Sequence, residues 1–369
     1  MRRASRPFLA LRPAIITTLA AVCLTWPGLS PATAAPAGPA GPQAAPVKWS
    51  PELGPVPRAL THTAPALANV SVGKNRSNLL LFWTGPADGT AGFHISYQTS
   101  ISLRKNTWSR PNLVAFGKPL TRSRPAASPI GPEASGQVIV TWKDPADPRL
   151  EYAIGQEGKN NILSWSGIAF IPQAAAAGGP AVYRPLNSNL IVVTWRAASG
   201  HAVDYIVGFP SSAGGVKWEQ VATIPRSAAT GTPAIAEAST GSQSGLLYAL
   251  WRVPGNSGQI DFATAPEPVR GQAKWSAPRA LPSSVKTGAP PSAQAIGKGL
   301  TYPLLVVYRA RHGAALSYVT LSAKNQTTKP LPVPHIRSSN GTAISPGVLA
   351  AEDPGNVFYE PFVRPCGGC

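Results

Sequence analysis

Short apolar runs recur along the chain in sets of four, each run separated from the next by Gly, Pro, Asn or Ser. The stretch from Pro233 to Pro282 shows the layout best. It opens on Pro233-Ala-Ile-Ala-Glu-Ala and continues with Leu246-Leu-Tyr-Ala-Leu-Trp251-Arg252. Gln259-Ile-Asp-Phe-Ala-Thr and Lys274-Trp275-Ser-Ala-Pro follow. Runs of this length between turn residues predict consecutive antiparallel strands. No stretch beyond Gly41 keeps the 3.6-residue periodicity that a helix requires. The class is all-β.

The same layout is written again on both sides of this stretch. The aromatics that close the second run are Trp83, Trp142, Trp195, Trp251, Tyr308 and Phe362, at intervals of 53 to 59 residues. A later tryptophan falls at Trp49, Trp108, Trp165, Trp218 and Trp275, and where a unit holds both, the pair is 23 to 25 apart. A sixth unit starts at Pro346 and runs out after Phe362 without a fourth run. A spare fourth run, Val47-Lys-Trp49-Ser-Pro, stands before the first unit. A ring explains both ends. The expectation is a six-bladed β-propeller over residues 47–363, with the strand around Trp49 completing the last blade. The third strand of that blade is not identifiable in the sequence.

Middle strands of such blades are covered on both faces, so they read as continuous apolar runs, as Leu190 to Trp195 does. Tryptophan at a recurring register is read as blade packing, although indole faces also stack on sugars.

Composition refines this picture. The chain has 369 residues, 43% apolar and only 13% charged, against about 25% charged in ordinary domains. Arg2, Arg3, Arg6 and Arg12 precede an apolar stretch from Ala14 to Leu24, and Ala32-Thr33-Ala34 supplies small residues for cleavage. This is read as an export signal over 1–34, too short to span a membrane, so a secreted chain without a transmembrane segment is expected. Val22 before Cys23 argues against lipidation. Residues 35–46 read as a Pro/Ala/Gly-rich linker.

Loss of four arginines with the signal takes the formal charge from +18 to +14. Such a charge outside the cell favours an anionic partner, an acidic carbohydrate or surface polymer. The plainer reading is solubility. No run of five basic residues occurs, so nucleic acid is not expected. Cys366 and Cys369 form a terminal Cys-Gly-Gly-Cys, read as a small local disulfide because neither a redox setting nor further metal ligands lie nearby. No metal or cofactor is expected, and the protein is read as a monomer.

Trp-(Lys/Arg) on strand two, an aromatic on strand three and Trp-Ser-x-Pro on strand four together resemble exported bacterial propellers related to sialidases and to fucose-binding lectins. The resemblance spans residues 47–363 and implies six blades. Sialidase relatedness would imply three arginines on a carboxylate, a Tyr-Glu nucleophile pair and an acidic proton donor. The Asp-box is missing: Leu103-Arg-Lys-Asn-Thr-Trp108 and Ser212-Ala-Gly-Gly-Val-Lys-Trp218 lack its aspartate. The Phe/Tyr-Arg-Ile-Pro motif is absent near Pro65, and no Glu repeatedly faces the loop side beside a Tyr.

Asp144 and Asp147 have the chemistry of an acid or a Ca2+ ligand, but two aspartates in a Pro-rich turn are ordinary turn formers. His201 and His312 sit in second-to-third-strand loops as surface groups, and no Gly-x-Ser-x-Gly elbow exists. No catalytic residue is assigned. Lys143, Arg196, Arg252 and Arg309 close strand two in four successive units, at one height on one face. Guanidinium groups there are placed to fork onto sugar hydroxyls or carboxylates, whereas the alternative is that they merely solvate strand ends. The expected function is a non-catalytic, lectin-like module for an anionic glycan. A divergent sialidase-like exo-glycosidase and a protein-docking scaffold are the alternatives.

Overall fold

A computed structural model describes residues 47–363 except 50–54, 62, 73–75, 88–91, 103–105, 116–119, 132–134, 186–187, 212–213, 239–244, 269–270, 297–303, 323, 346–347 and 354–355. The export signal, the 35–46 linker and the Cys366–Cys369 disulfide lie outside the described residues.

The fold is an all-β propeller. Five blades are contiguous in sequence, each ordered one-two-three-four from hub to rim. Their first three strands are Ala66–Val72, Arg76–Ala87 and Phe93–Ser102 in blade 1, and Ala126–Ile130, Gln137–Lys143 and Arg149–Glu157 in blade 2. Blade 3 has Ala181–Tyr183, Ile191–Arg196 and Val203–Pro210; blade 4 has Ala234–Ala238, Leu246–Arg252 and Ile260–Pro266. Blade 5 has Ser292–Ala295, Leu304–Arg309 and Ala315–Leu321. Another sheet is composite: Thr342–Ser345, Val348–Asp353 and Asn356–Val363 are joined at the rim by Lys48–Trp49. The first strands neighbour one another around the hub, with Thr342–Ser345 standing between those of blades 5 and 1.

The strand-two aromatics fill the wedges between sheets, as their continuous apolar setting predicts. Trp83, Trp142, Trp195, Trp251 and Tyr308 are at most 3% exposed. Each belongs to a cluster shared with the preceding sheet. Later tryptophans act nearer the rim. Trp165, Trp218 and Trp275 lie edge-on to Tyr97, Tyr152 and Tyr205 of the blade before, at 5.4 to 5.7 Å between ring centres. Trp49 does the same to Tyr318, at 5.5 Å. Edge-to-face aromatic pairs add about 0.5–1.5 kcal/mol each beyond area burial.

The Ser after the Trp has its own reason. The strand-three amides of Thr99, Ile154 and Thr264 donate to the hydroxyls of Ser109, Ser166 and Ser276 at 2.9 to 3.0 Å. In blade 5, which lacks the Trp, Thr320 N donates to Thr328 Oγ1 at 2.9 Å and keeps the register. Trp275 itself is outside a strand; the outer strand of blade 4 is Arg279–Ala280.

The indoles also dictate small residues across from them. Trp165 pairs with Gly155, and Trp218 with Gly208. A Cβ on Gly208 would stand 2.6 Å from both Trp218 and Val216. Gly208→Val should therefore cost about 1–3 kcal/mol by overpacking, read as a lower denaturant midpoint. Gly167→Ala, with nothing within 4 Å of the added carbon, is the control. A Gly208→Val variant as stable as this control would remove the argument.

The composite sheet corrects the sequence reading by one strand. Val348–Asp353 is strand two and Asn356–Val363 strand three, so Phe362 does not share the register of the strand-two aromatics. The strand missed was the first, Thr342–Ser345, which is too short and polar to stand out. The rim strand pairs as expected, Lys48 opposite Val363 and Trp49 opposite Phe362. Pro55–Leu60 adds a second, irregular pairing to Asn356–Val363.

Candidate functional site

Each first strand is entered by a turn built on one plan. Four residues before its opening Pro, or before Thr342 in the composite sheet, stand Thr61, Thr121, Ala176, Ala229, Thr287 and Ser338, all at most 1% exposed. Where the residue is Thr, its hydroxyl ties the turn together. Thr121 Oγ1 donates to Lys143 O at 2.8 Å and accepts from Ser123 N at 3.1 Å. Thr287 Oγ1 donates to Ala289 O at 2.6 Å and accepts from Ala289 N at 3.2 Å.

The residue just before strand one is small or lacks a polar head in most blades: Ala64, Gly179, Thr232, Pro290 and Gly341. In blade 2 it is Arg124. The residue is half-buried, and two of its guanidinium nitrogens, Nε and Nη1, are withdrawn from solvent without a hydrogen-bond partner. Burial lowers its pKa to about 10, so the group stays cationic at neutral pH. Room for it comes from the next blade, where a Cβ on Gly179 would meet Arg124 O at 2.5 Å and Arg124 Cγ at 3.0 Å. Arg124 lines a hub cavity of about 70 Å3, walled otherwise by the openings of the first strands, among them Pro65, Ala126, Ala181, Ala234, Ser292 and Ala343. The cavity is open on one side, and it has room beside Arg124 for a small anionic group such as a carboxylate.

Carboxylates stand on the same loop face. Strand three places Glu151, Asp204 and Asp261 directly across from Trp142, Trp195 and Trp251. Blades 1 and 5 carry Ser96 and Ser317 there. Trp142 Nε1 donates to Glu151 Oε2 at 2.5 Å. Burial raises the Glu151 carboxyl, and the nearby charges of Asp144 and Asp147 push the same way. Asp147 moves in the opposite direction, held down by the Arg149 amide and guanidinium. Glu151 is thus the half-buried carboxyl of this hairpin and Asp147 the one paired with Arg149. The hairpin that bears them begins at Lys143, whose carbonyl is bonded to Thr121, three residues before Arg124.

Asp144 and Asp147 also hold their turn: Ala146 N donates to Asp144 Oδ1 and Arg149 N to Asp147 Oδ1, both at 2.7 Å. Among the described residues no cluster of His, Cys, Asp and Glu is arranged to hold a metal ion.

Lys143, Arg196, Arg252 and Arg309 each end a second strand, and they share one height. Their side chains differ. Lys143 Nζ donates to the carbonyls of Asp144 and Asp147 at 2.9 and 2.8 Å. Arg309 Nη2 donates to Gly288 O at 2.8 Å and Nη1 to Ser339 O. Arg196 and Arg252 are half-buried, and Arg252 Nε is withdrawn from solvent without a partner. His201 Nδ1 lies 3.1 Å from Ala229 O, and His312 is exposed.

Sequence reasoning missed Arg124 and Glu151. Aligning the units on the Pro before strand one would have isolated Arg124 among small residues. Aligning strand three on Leu150-Glu-Tyr, Val203-Asp-Tyr and Ile260-Asp-Phe would have shown the recurring carboxylate.

No protein-family model matches the chain, and no curated protein matches it either. Solved structures do. An α-L-arabinanase of Penicillium chrysogenum complexed with arabinobiose aligns at 13% identity over 86% of this chain and 97% of its own, with a TM-score of 0.54. An α-L-arabinofuranosidase of Fusarium graminearum aligns at 12% over 86% and 96%, with a TM-score of 0.55. The NanB sialidase of Streptococcus pneumoniae aligns at 11% over 84% and 70%, also at 0.55. These identities establish shared fold only. They nevertheless overturn the expectation of a non-catalytic lectin, because the matched propellers are glycoside hydrolases, and the glycosidase alternative is the better supported one. The chain has the fold of the sialidase and arabinanase β-propellers.

Proposed function

We propose that the protein is a divergent glycosidase of the sialidase kind that removes an acidic sugar from a glycan, and that the composite sheet serves as the sixth blade closing its ring. The observation that carries the reading is Arg124: a cation with two unpartnered buried nitrogens, at the hub, where the symmetry-related residues bear no charge. Its fork matches a carboxylate, and the hub cavity that it lines has room for that group. The sugar ring then lies at the mouth, under the loops that carry Asp144, Asp147 and Glu151.

Cleavage of the glycosidic C–O bond needs a proton for the leaving oxygen and a carboxylate to steady the oxocarbenium-like centre until water adds. Glu151, with its raised pKa, supplies the proton. Asp147, whose carboxyl the Arg149 amide and guanidinium hold down, supplies the negative charge, and the proton lost by water returns to Glu151.

A fluorogenic series tests the reading. Aryl sialosides and aryl uronosides should be turned over, and their uncharged aryl galactoside and arabinofuranoside counterparts should not. Turnover of none of these, or of the neutral ones alone, would sink it. The pH profile gives a second check. Glu151 must be protonated to act, so kcat/KM should fall as pH rises through its elevated pKa. Glu151→Gln should flatten that limb and cut the rate about 10²–10⁴-fold. An unchanged profile in the variant would exclude Glu151 as the acid.

A further inference from the structure

On the loop face blade 2 mixes the acids Asp144, Asp147 and Glu151 with the cations Arg124, Lys143 and Arg149. Over blades 3 to 5 the described acids of that face are Asp204 and Asp261. Asp204 accepts a hydrogen bond from Thr223 Oγ1 at 2.6 Å, and burial raises the Asp261 carboxyl. Against them stand Arg196, Arg226, Arg252, Lys286, Arg309 and Arg311.

Four of these are unspent. Arg309 is tied to loop carbonyls, and Lys286 Nζ contacts Gln259 Oε1 at 3.4 Å. Arg196 and Arg252 end strand two of blades 3 and 4 without such ties. Arg226 is exposed, in the turn that leads to the first strand of blade 4, at a left-handed φ of 56°. Arg311 is exposed in the second-to-third loop of blade 5. Its stem passes the neighbouring loop of blade 4, where a Cβ on Gly258 would stand 3.4 Å from Arg311 Cδ. The cations therefore form a run across three blades. Sheets packed face to face stand about 10 Å apart, so the run covers about 20 Å, beyond the reach of one monosaccharide.

We propose that Arg196, Arg226, Arg252 and Arg311 form a binding track for the body of a polyanionic polysaccharide, separate from the hub. This deepens the glycosidase reading and rests on it for the role of the track, which is to hold the polymer while its end residue occupies the Arg124 cavity. Each contact is weak and screened, but a chain that meets several at once gains through effective concentration.

Binding to immobilised polygalacturonate fragments of increasing length, at low and moderate salt, tests the track without requiring turnover. The parent should bind longer fragments more tightly and lose affinity steeply with salt. The variant with Arg196, Arg226, Arg252 and Arg311 all changed to Ala should bind long fragments at least tenfold more weakly and lose most of the salt dependence. Its melting temperature and its turnover of a small aryl glycoside should stay as in the parent. Equal binding by the quadruple variant would overturn the track, as would parent binding to neutral dextran of the same length. Duplex DNA competing as well as polygalacturonate would also overturn it, by showing a general polyanion surface. Retained length-dependent binding with no glycoside turned over would leave the track standing and remove the glycosidase.

Discussion

Deletion of Val47–Leu53 is expected to lower the melting temperature by about 10 °C or more and to broaden the transition. Val47 is 5% exposed within the cluster formed with Leu305, Val307, Leu316 and Tyr318. Trp49 meets Tyr318 edge-on and pairs across from Phe362. Truncating a packed Trp alone costs about 3–5 kcal/mol. For a domain of this size each kcal/mol is worth about 1.5 °C. The deletion adds the loss of the rim pairing and leaves the outer edge of Asn356–Val363 with only its irregular partner, Pro55–Leu60, while its inner edge stays paired to Val348–Asp353. Trp49→Ala should recover roughly half the effect. Calorimetry decides: a deletion variant that melts like the parent would show that the ring does not depend on this strand.

Replacing Arg124 should raise stability while removing activity, an opposition that no structural role predicts. A buried donor without a partner costs about 1–3 kcal/mol, and a charged one more, so Arg124→Met should melt a few degrees higher than the parent. Turnover of acidic aryl glycosides should fall about 10²–10³-fold, the usual cost of removing one preorganised donor. Arg124→Lys should keep the charge but lose the fork, giving an intermediate rate. Scanning calorimetry and kcat/KM on the same preparations separate the cases. Loss of activity with a fall in melting temperature would make Arg124 a packing residue, and unchanged turnover would remove it from the site.

The sequence made most of the scaffold legible because packing repeats. Trp142, Trp195 and Trp251 close second strands as their spacing requires, and the late tryptophans pack between neighbouring sheets. Where packing did not need an aromatic, the signal faded. Thr342–Ser345 is a hub strand of four residues in which Ile344 is the one large apolar side chain, and its absence from the reading displaced the strands after it by one. Short outer strands such as Asn112–Leu113 and Ala222–Thr223 pair with strand three without any apolar run to announce them. The candidate site was harder to see for the opposite reason. A repeat exposes what every blade shares, whereas Arg124 matters because one blade departs from the rest. The regular cations drew attention by their register, yet two of the four, Lys143 and Arg309, hold loop carbonyls.

The composite sheet sets Val363 opposite Lys48 in an antiparallel pair, the strand-three-to-strand-four arrangement that blades 2 and 3 bridge with a short hairpin loop. A few added residues between those two positions would make the backbone circular without moving a strand. The chain could then be opened in any exposed loop, such as the one around Gly200 or Gly255. Blade numbering is thus a property of where the covalent thread is cut, whereas the hub, its lone arginine and the wedges between sheets belong to the closed circle itself.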